Sequence, residues 1–224
     1  MPSIKRIVFD AFDTIFDTTF VDQKILEVCG PHPDLVQIWR MKLVEYSWLR
    51  SMMNQYRPFS QIAADALNFA LNHKKLLLSP EQWEDILEAC RMLPMFAEVQ
   101  PGLKQLGRYF QLGILSNADL ALLEDLLTFN NCDDFGQNLH SADEVRIFKP
   151  DPRLYQLALG GGLAPSEIIF AATNPWDIAG AKAAGLQVAW IRRNDQIILD
   201  ELGQQPDLIF KSLEHMVKTF LPAE

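Results

Sequence analysis

The segment Ile4-Lys5-Arg6-Ile7-Val8-Phe9-Asp10-Ala11-Phe12-Asp13-Thr14-Ile15-Phe16 decides the fold, because its apolar run ends on a carboxylate. Similar short apolar runs, each followed by polar residues, recur at Gln111–Leu115, Ile168–Ala172 and Gln187–Ile191. Buried parallel strands have this pattern. Segments with helical spacing lie between the runs, at Asp119–Phe129, Pro152–Leu159 and Trp176–Ala184. The alternation predicts an α/β protein with a doubly wound parallel sheet, in which ligands bind beyond the carboxyl ends of the strands.

The stretch from Phe16 to Phe96 interrupts this alternation. Three segments within it have helical spacing, with no strong strand between them: Leu35–Met53, Ser60–Asn72 and Pro80–Cys90. Ser79 suits the N-cap of the third helix, because a proline favours the first helical position that follows it. We therefore predict a core of residues 1–15 and 97–224, and a helical cap domain of residues 16–96 that closes over Asp10.

The composition restricts the partners and the location. A formal charge of -9 and a pI near 4.9 argue against nucleic acid or an anionic membrane surface as the main partner. Cys29, Cys90 and Cys132 form no C-x-x-C pair, so neither a disulfide framework nor a zinc site is indicated. No signal-peptide pattern or membrane-spanning run is found, and we expect a soluble cytoplasmic protein.

Polar side chains with catalytic potential follow the strand-like runs. Asp10 ends the first run, Ser116 and Asn117 end the second, Lys149 stands on a proline-stiffened segment, and Asp177 follows the third run. Taken singly, Asp10 is a turn former and Lys149 a solvated surface group. Ser116, Asn117 and Asp177 are suitable helix caps. The alternative is one shared site at the sheet edge, where Lys149 keeps Asp10 ionised and oriented.

The order of these four groups resembles the haloacid dehalogenase superfamily. Its four motifs are a strand-end Asp, a Ser or Thr, a Lys and an acidic loop, and the resemblance covers nearly the whole chain. It implies a Rossmann-like core with a cap inserted after the first motif. It also implies that Asp10 is a covalent nucleophile.

Two positions separate the branches of this superfamily. Phosphatases usually carry a second Asp two places after the nucleophile, and an acidic pair in the last motif helps to hold magnesium. Phe12 and Thr173 stand at the corresponding places here, whereas a hard cation needs several oxygen ligands. A magnesium-dependent small-molecule phosphatase is therefore the second-ranked alternative. A non-catalytic binding protein is the third, motivated by Ala172, where the dehalogenases usually have serine.

Other features are similar to the L-2-haloacid dehalogenase branch, which uses no metal or other cofactor. That branch has an aromatic residue two places after its nucleophile, as Phe12 is here. The segment Trp39–Arg50 is similar to its cap helix, and Arg40 matches its halide-binding arginine. The segment Asn174-Pro175-Trp176-Asp177 resembles its Asn-x-Trp-Asp motif. The resemblance implies hydrolysis of (S)-2-haloacids to (R)-2-hydroxy acids, with a small 2-haloalkanoate as the partner.

The roles that this resemblance implies fall into two groups. The catalytic residues are Asp10, Thr14, Arg40, Lys149 and Asp177. The substrate-binding residues are Phe12, Ser116, Asn117, Tyr155, Asn174 and Trp176. Trp39, Val44 and Phe59 are expected to line the halogen and alkyl pocket, with Met41 making its wall more apolar. Relatives often form dimers, so we also expect a homodimer.

Overall fold

The computed structural model describes residues 4–136 and 138–221, so both ends of the predicted core, 1–3 and 222–224, lie outside the described residues. The sheet has six parallel strands in the order β3-β2-β1-β4-β5-β6. The strands are β1 (Arg6–Phe9), β2 (Gln111–Ser116), β3 (Leu139–Ser141), β4 (Ile168–Ala172), β5 (Gln187–Ile191) and β6 (Leu208–Phe210). The predicted α/β fold with a parallel sheet is confirmed.

Ten α-helices accompany the sheet in the described residues. They are α1 (Thr19–Cys29), α2 (Pro33–Met52), α3 (Phe59–Lys74), α4 (Pro80–Ala89), α5 (Val99–Leu106), α6 (Leu120–Phe129), α7 (Ala142–Val145), α8 (Pro152–Tyr155), α9 (Pro175–Ala183) and α10 (Leu213–Phe220). None of them combines the length and the apolar composition that crossing a membrane requires. The helices after β2 and β4 begin at the carboxyl edge of the sheet, where they present polar residues near Asp10.

The central strand β1 delivers Asp10 to the point where the strand order reverses. Phe9 is paired with Ile114 of β2 on one side and with Ala171 of β4 on the other. The Asp10 amide continues the second ladder by donating to the Ala171 carbonyl at 2.9 Å. Ligands of open α/β sheets bind in the crevice at this reversal. Asp10 therefore follows a rigid strand and lies at the edge where ligands of such sheets bind.

Residues 16–96, here called the helical segment, contain α1 to α4 and lie over this sheet edge. The aromatic rings of Phe12 and Phe59 stack with centroids 5.3 Å apart. Ser60 donates to the Asp119 carboxylate twice, through its backbone N–H and its hydroxyl, both at 2.9 Å. The N-terminus of α3 is thereby capped by a residue at the start of α6. The Tyr56 hydroxyl also donates to the carboxylate of Asp143.

The elements differ from the sequence prediction where local signals are weak. Pro152–Leu159 was predicted as one helix, but its second half, Gln156–Leu159, is a 3-10 turn. Such tightening is common at helix ends, and the glycine at position 160 follows. The predicted cap of α4 is confirmed, because the Ser79 hydroxyl accepts from the Gln82 amide at 3.3 Å. The short strands β3 and β6 and the helices α1, α5, α7 and α10 were missed.

Candidate active site

Three buried side chains meet at the carboxyl end of β1 and form one ion-paired group. Lys149 Nζ donates to Asp10 Oδ1 at 2.8 Å and to Asp177 Oδ2 at 2.8 Å. Lys149 and Asp177 are fully buried, and Asp10 is 5% exposed. One ammonium group thus holds two carboxylates and leaves one negative charge in excess. The structure therefore brings Asp10, Lys149 and Asp177 together, as the sequence predicts.

Burial and charge act in opposite directions on this group. Burial raises the pKa of Asp10 to about 6, Asp177 adds to the rise, and Lys149 opposes it. Burial by itself lowers the pKa of Lys149, but the two carboxylates outweigh that effect and raise it. Lys149 is therefore charged at neutral pH, and Asp10 is mainly ionised above pH 6. An ionised carboxylate with little hydration is a suitable nucleophile.

Thr14 and Arg193 support Asp10 from the other side. The Thr14 hydroxyl donates to Asp10 Oδ2 at 3.3 Å and accepts from the Thr173 amide at 3.0 Å. Arg193 donates to the carbonyls of Asp13 and Thr14, both at 2.9 Å, and pairs with Glu98 at 2.9 Å. Asp13 has a left-handed backbone with φ 61°, which is costly for a residue with a side chain. Arg193 therefore fixes the strained turn that carries Thr14.

Sequence reasoning missed Arg193 and Glu98. Arg193 follows β5 by two residues, so it leaves the sheet at the same edge as Asp10. Side chains at the carboxyl edge of a parallel sheet lie close together, and this rule, which predicts the site of Asp10, Lys149 and Asp177, applies to Arg193 as well. In the sequence, however, Arg192 and Arg193 stand side by side and have the appearance of solvated surface charges.

Tyr155 is placed behind Asp177, without lining the cavity. It is fully buried, and its hydroxyl donates to Asp177 Oδ1 at 2.5 Å. Burial and the Asp177 charge raise its pKa well above the usual value, so the hydroxyl keeps its proton. The alternative for Asp177 was helix capping, but its side chain does not cap a helix. Oδ1 accepts from Tyr155 and Oδ2 accepts from Lys149.

Gly180 on α9 makes this contact possible, and we predict that Gly180→Ala disrupts it. A Cβ atom at this position would lie 2.6 Å from the Tyr155 hydroxyl and 2.7 Å from Pro150 Cβ. The Tyr155 ring and the Pro150 ring cannot fold out of the way, so the whole Tyr155 side chain must shift away from Asp177. We expect kcat for the hydrolysis that the sequence predicts to fall roughly tenfold to hundredfold and the free energy of unfolding to fall by about 1–3 kcal/mol.

Gly160→Ala is the matched control, because its Cβ would meet nothing closer than 3.6 Å. Urea denaturation and steady-state kinetics on the two variants make the comparison. Alanine is the better helix former by about 1 kcal/mol. A Gly180→Ala variant with unchanged kcat and a higher urea midpoint therefore contradicts the steric argument.

Ser116 and Asn117 have different surroundings. Ser116 is fully buried, and its hydroxyl accepts from the Ala118 amide at 3.1 Å, which is a local turn contact. Asn117 Oδ1 accepts from the Lys149 amide at 2.8 Å, so this side chain positions the backbone of Lys149. Asn117 also lines the cavity between the helical segment and the sheet edge. Its amide NH₂ group is therefore the better placed of the two for a substrate carboxylate.

A cavity of about 640 Å³ lies between the helical segment and the sheet edge. The predicted site residues that line it are Asp10, Phe12, Arg40, Asn117, Asn174 and Trp176. Trp39, Val44 and Phe59 line it as expected. The prediction for Met41 was wrong: its side chain is 58% exposed and lies outside the lining. Adjacent residues of a helix point about 100° apart, so Arg40 faces the cavity while Met41 faces solvent.

Arg40 reaches the cavity from α2, but its guanidinium group is already paired. Nη2 donates to Asp22 Oδ2 at 2.7 Å and to the Thr18 hydroxyl at 2.6 Å. Nη1 has only a long contact of 3.4 Å to Asp13 Oδ2. Burial lowers the pKa of Arg40, but Asp22 and Asp13 outweigh that effect and raise it. A permanent positive charge is therefore fixed beside the cavity, with Nη1 as its least engaged donor.

The carboxylates present do not fit a magnesium site. Asp10 accepts through its two oxygens from Lys149 and Thr14, and Asp177 accepts through its two oxygens from Lys149 and Tyr155. Magnesium requires near-ideal octahedral oxygen coordination, and Thr173 supplies no carboxylate. Within residues 4–136 and 138–221, no cluster of three or more His, Cys, Asp or Glu side chains is arranged to hold a metal ion.

The fold and this site define a class of hydrolase. A central parallel strand ends on a buried Asp, a Lys joins it to a second Asp, and helices inserted after the strand line the same cavity as the first Asp. The sequence model of the family described as haloacid dehalogenase-like hydrolase matches residues 4–185. The chain belongs to this family.

Individual relatives of known name are similar to this chain over nearly its full length. The chain is 36% identical to an (S)-2-haloacid dehalogenase of Pseudomonas sp. (strain YL), over 98% of this chain and 96% of the relative. It is 35% identical to haloacetate dehalogenase H-2 of Moraxella sp. (strain B), over 97% and 98%. Among solved structures, the L-2-haloacid dehalogenase of Xanthobacter autotrophicus with chloropropionic acid covalently bound superposes with a TM-score of 0.87, at 27% identity, over 96% and 97% of the two chains.

Proposed function

We propose that this chain is a metal-independent (S)-2-haloacid dehalogenase, which converts (S)-2-haloacids to (R)-2-hydroxy acids through an ester on Asp10. The observation that carries the proposal is the buried Asp10, ion-paired with Lys149 at the wall of a largely apolar cavity. Relatives named as haloacid dehalogenases over nearly the full chain support the same chemistry.

In the first step, an Asp10 carboxylate oxygen attacks C2 of the haloacid from the side opposite the halogen. A C–O bond forms while the carbon–halogen bond breaks, and the halide leaves with the bonding electrons. Arg40 and Asn174 stabilise the charge that develops on the halogen, with Phe12 and Trp176 excluding water around it. Asn117, with Ser116 behind it, orients the substrate carboxylate. In-line displacement inverts C2.

In the second step, water attacks the carbonyl carbon of the Asp10 ester. Asp177 orients this water or accepts its proton, and the ester C–O bond on the Asp10 side breaks to release the 2-hydroxy acid. The products are the hydroxy acid, a halide ion and a proton. Lys149 balances the charge on Asp10 and Asp177, Tyr155 fixes the orientation of Asp177, and Thr14 fixes that of Asp10.

The helical segment, residues 16–96, acts in this scheme as a cap on a core of residues 1–15 and 97–224. It supplies Arg40 and the apolar residues Trp39, Val44 and Phe59, all of which line the cavity. Closing such a cap removes water from the reaction and strengthens the electrostatic interactions inside. The Ser60 contacts to Asp119 hold the cap over the nucleophile in this conformation.

Isotope labelling tests the proposed function. In a single turnover with excess enzyme in ¹⁸O-water, we expect the label to enter the Asp10 side chain and the first hydroxy acid to carry no label. Mass spectrometry of the Asp10 peptide and of the product measures both. Halide release from (S)-2-chloropropionate is expected to persist in EDTA. Label found only in the product rejects the ester, and magnesium-dependent hydrolysis of p-nitrophenyl phosphate without halide release favours a phosphatase.

We also propose a cytoplasmic homodimer. All three cysteines are free thiols, which suits a reducing compartment. Large apolar side chains are exposed on α2, with Met41, Leu49 and Met52 at 58%, 41% and 80%, and exposed apolar patches often mark contacts between subunits. A monomeric mass in light scattering at micromolar concentration would reject the dimer.

A further inference from the structure

The cavity that contains Asp10 is larger than a three-carbon haloacid requires. Its volume is about 640 Å³, within the range of about 300–1,000 Å³ in which proteins enclose drug-sized ligands. It continues from the nucleophile towards α4 and the beginning of α6. The part lined by these two helices and the chain after α4 is here called the distal arm, with the residues Trp83, Leu87, Cys90, Leu93, Ala121 and Leu122.

The helix α6 shows how far the cavity extends. Asn117, next to β2, and Asp125, in the second turn of α6, both line it. A helix rises 1.5 Å per residue, so the path from Leu120 to Asp125 adds about 8 Å. The cavity lining therefore follows α6 for more than one helical turn, which is a greater distance than a propionate spans.

The distal arm is mainly apolar. Trp83 and Leu87 are one turn apart on α4 and only partly buried, so their side chains offer apolar surface that this chain does not fully cover. Burial raises the pKa of the Cys90 thiol to about 12, which keeps it neutral. Charge appears at Arg91 and Asp125, whose side chains are 62% and 50% exposed and 3.7 Å apart. An apolar ligand group fits between these charges and the nucleophile.

The residues that bind the halogen and the carboxylate of the substrate are not part of the distal arm. Under the function proposed above, on which this inference rests, Arg40, Asn174 and Trp176 surround the halogen and Asn117 faces the carboxylate. The alkyl group is the substituent of C2 that these residues do not hold, and the distal arm is the part of the cavity left for it. We propose that the preferred substrates of this chain are 2-haloalkanoates with a long apolar chain, whose alkyl group occupies the distal arm.

A series of (S)-2-bromoalkanoates tests this assignment. From propionate through hexanoate to octanoate, kcat/KM is expected to rise about three- to fourfold for each buried methylene, and at least about hundredfold over the five methylenes. Ala121→Phe fills the arm from an exposed position on α6. It is expected to lower kcat/KM for 2-bromooctanoate at least about tenfold and to leave the value for 2-bromopropionate within about twofold.

Thr128→Phe is the matched control, because it adds the same ring at an exposed position of α6 outside the cavity lining. It is expected to leave both substrates unchanged. A flat or falling series in the wild type overturns the assignment, as does an equal loss on both substrates in Ala121→Phe. In either case turnover of 2-bromopropionate leaves the dehalogenase function standing. Failure of every acid to release bromide overturns that function and this inference together.

Discussion

Asp10→Asn is expected to abolish haloacid hydrolysis while leaving the protein folded. The amide has no ionised oxygen to attack C2, so kcat should fall by at least about ten-thousandfold. The fold should persist because Lys149 keeps one full partner, Asp177, at 2.8 Å. Removing the excess negative charge from a buried group even favours the native state, and the urea midpoint should equal or exceed that of the wild type.

The measurements are halide release, intact mass after incubation with 2-chloropropionate, and urea denaturation. Intact mass excludes deamidation of the introduced side chain back to a carboxylate and shows whether an adduct forms. Asp207→Asn is the matched control, since Asp207 forms a 2.9 Å, partly exposed ion pair with Lys182, and neither residue lines the cavity. It should retain wild-type turnover. Turnover above roughly one hundredth of the wild-type rate in Asp10→Asn would place the nucleophile elsewhere.

The sheet could be predicted where strands are long and buried. Ile168–Ala172 and Gln187–Ile191 have the same bounds in sequence and structure, because both runs are apolar, buried and followed by polar residues. The two edge strands β3 and β6 have three residues each. Three residues carry too little periodicity to separate a strand from a loop. Their existence depends on pairing with β2 and β5, which sequence alone does not state.

The site could be predicted to the extent that the sheet determines it. Asp10 and Asp177 approach each other because the carboxyl ends of adjacent parallel strands meet at one edge, and Lys149 reaches the same place from its loop. The partners of Arg40 could not be predicted. Asp22 meets Arg40 only because α1 and α2 pack together, at a sequence separation of 18 residues. The role of Gly180 could not be predicted either, because it depends on how closely Tyr155 approaches α9.

Lys149→Met is expected to have the second large effect, on both activity and stability. Methionine has a similar length but no charge, so Asp10 and Asp177 become two buried carboxylates without a counter-ion. Removing one partner of a buried ion pair costs about 3–5 kcal/mol of unfolding free energy. One carboxyl group relieves part of this cost by binding a proton. With Lys149 gone, burial and Asp177 raise the pKa of Asp10 further above the value of about 6 that it has in the wild type.

The pH dependence separates this electrostatic effect from simple misfolding. Only ionised Asp10 reacts, so the acid limb of kcat/KM should lie near pH 6 in the wild type and at higher pH in Lys149→Met, with kcat at neutral pH lowered at least about hundredfold. A carboxyl group whose folded-state pKa is raised stabilises the native state at low pH and loses that stabilisation as pH rises through the folded pKa.

The urea midpoint of Lys149→Met should therefore fall further below the wild type as the pH rises from about 5 to about 8. Lys182→Met breaks the partly exposed pair with Asp207 and serves as the control. It should cost less than about 1 kcal/mol, with no change in the acid limb. An acid limb at the wild-type pH in Lys149→Met would mean that Lys149 does not govern the ionisation of Asp10. Its buried charge would then serve the fold alone, and the nucleophile would owe its reactivity to Thr14 and to the dry cavity.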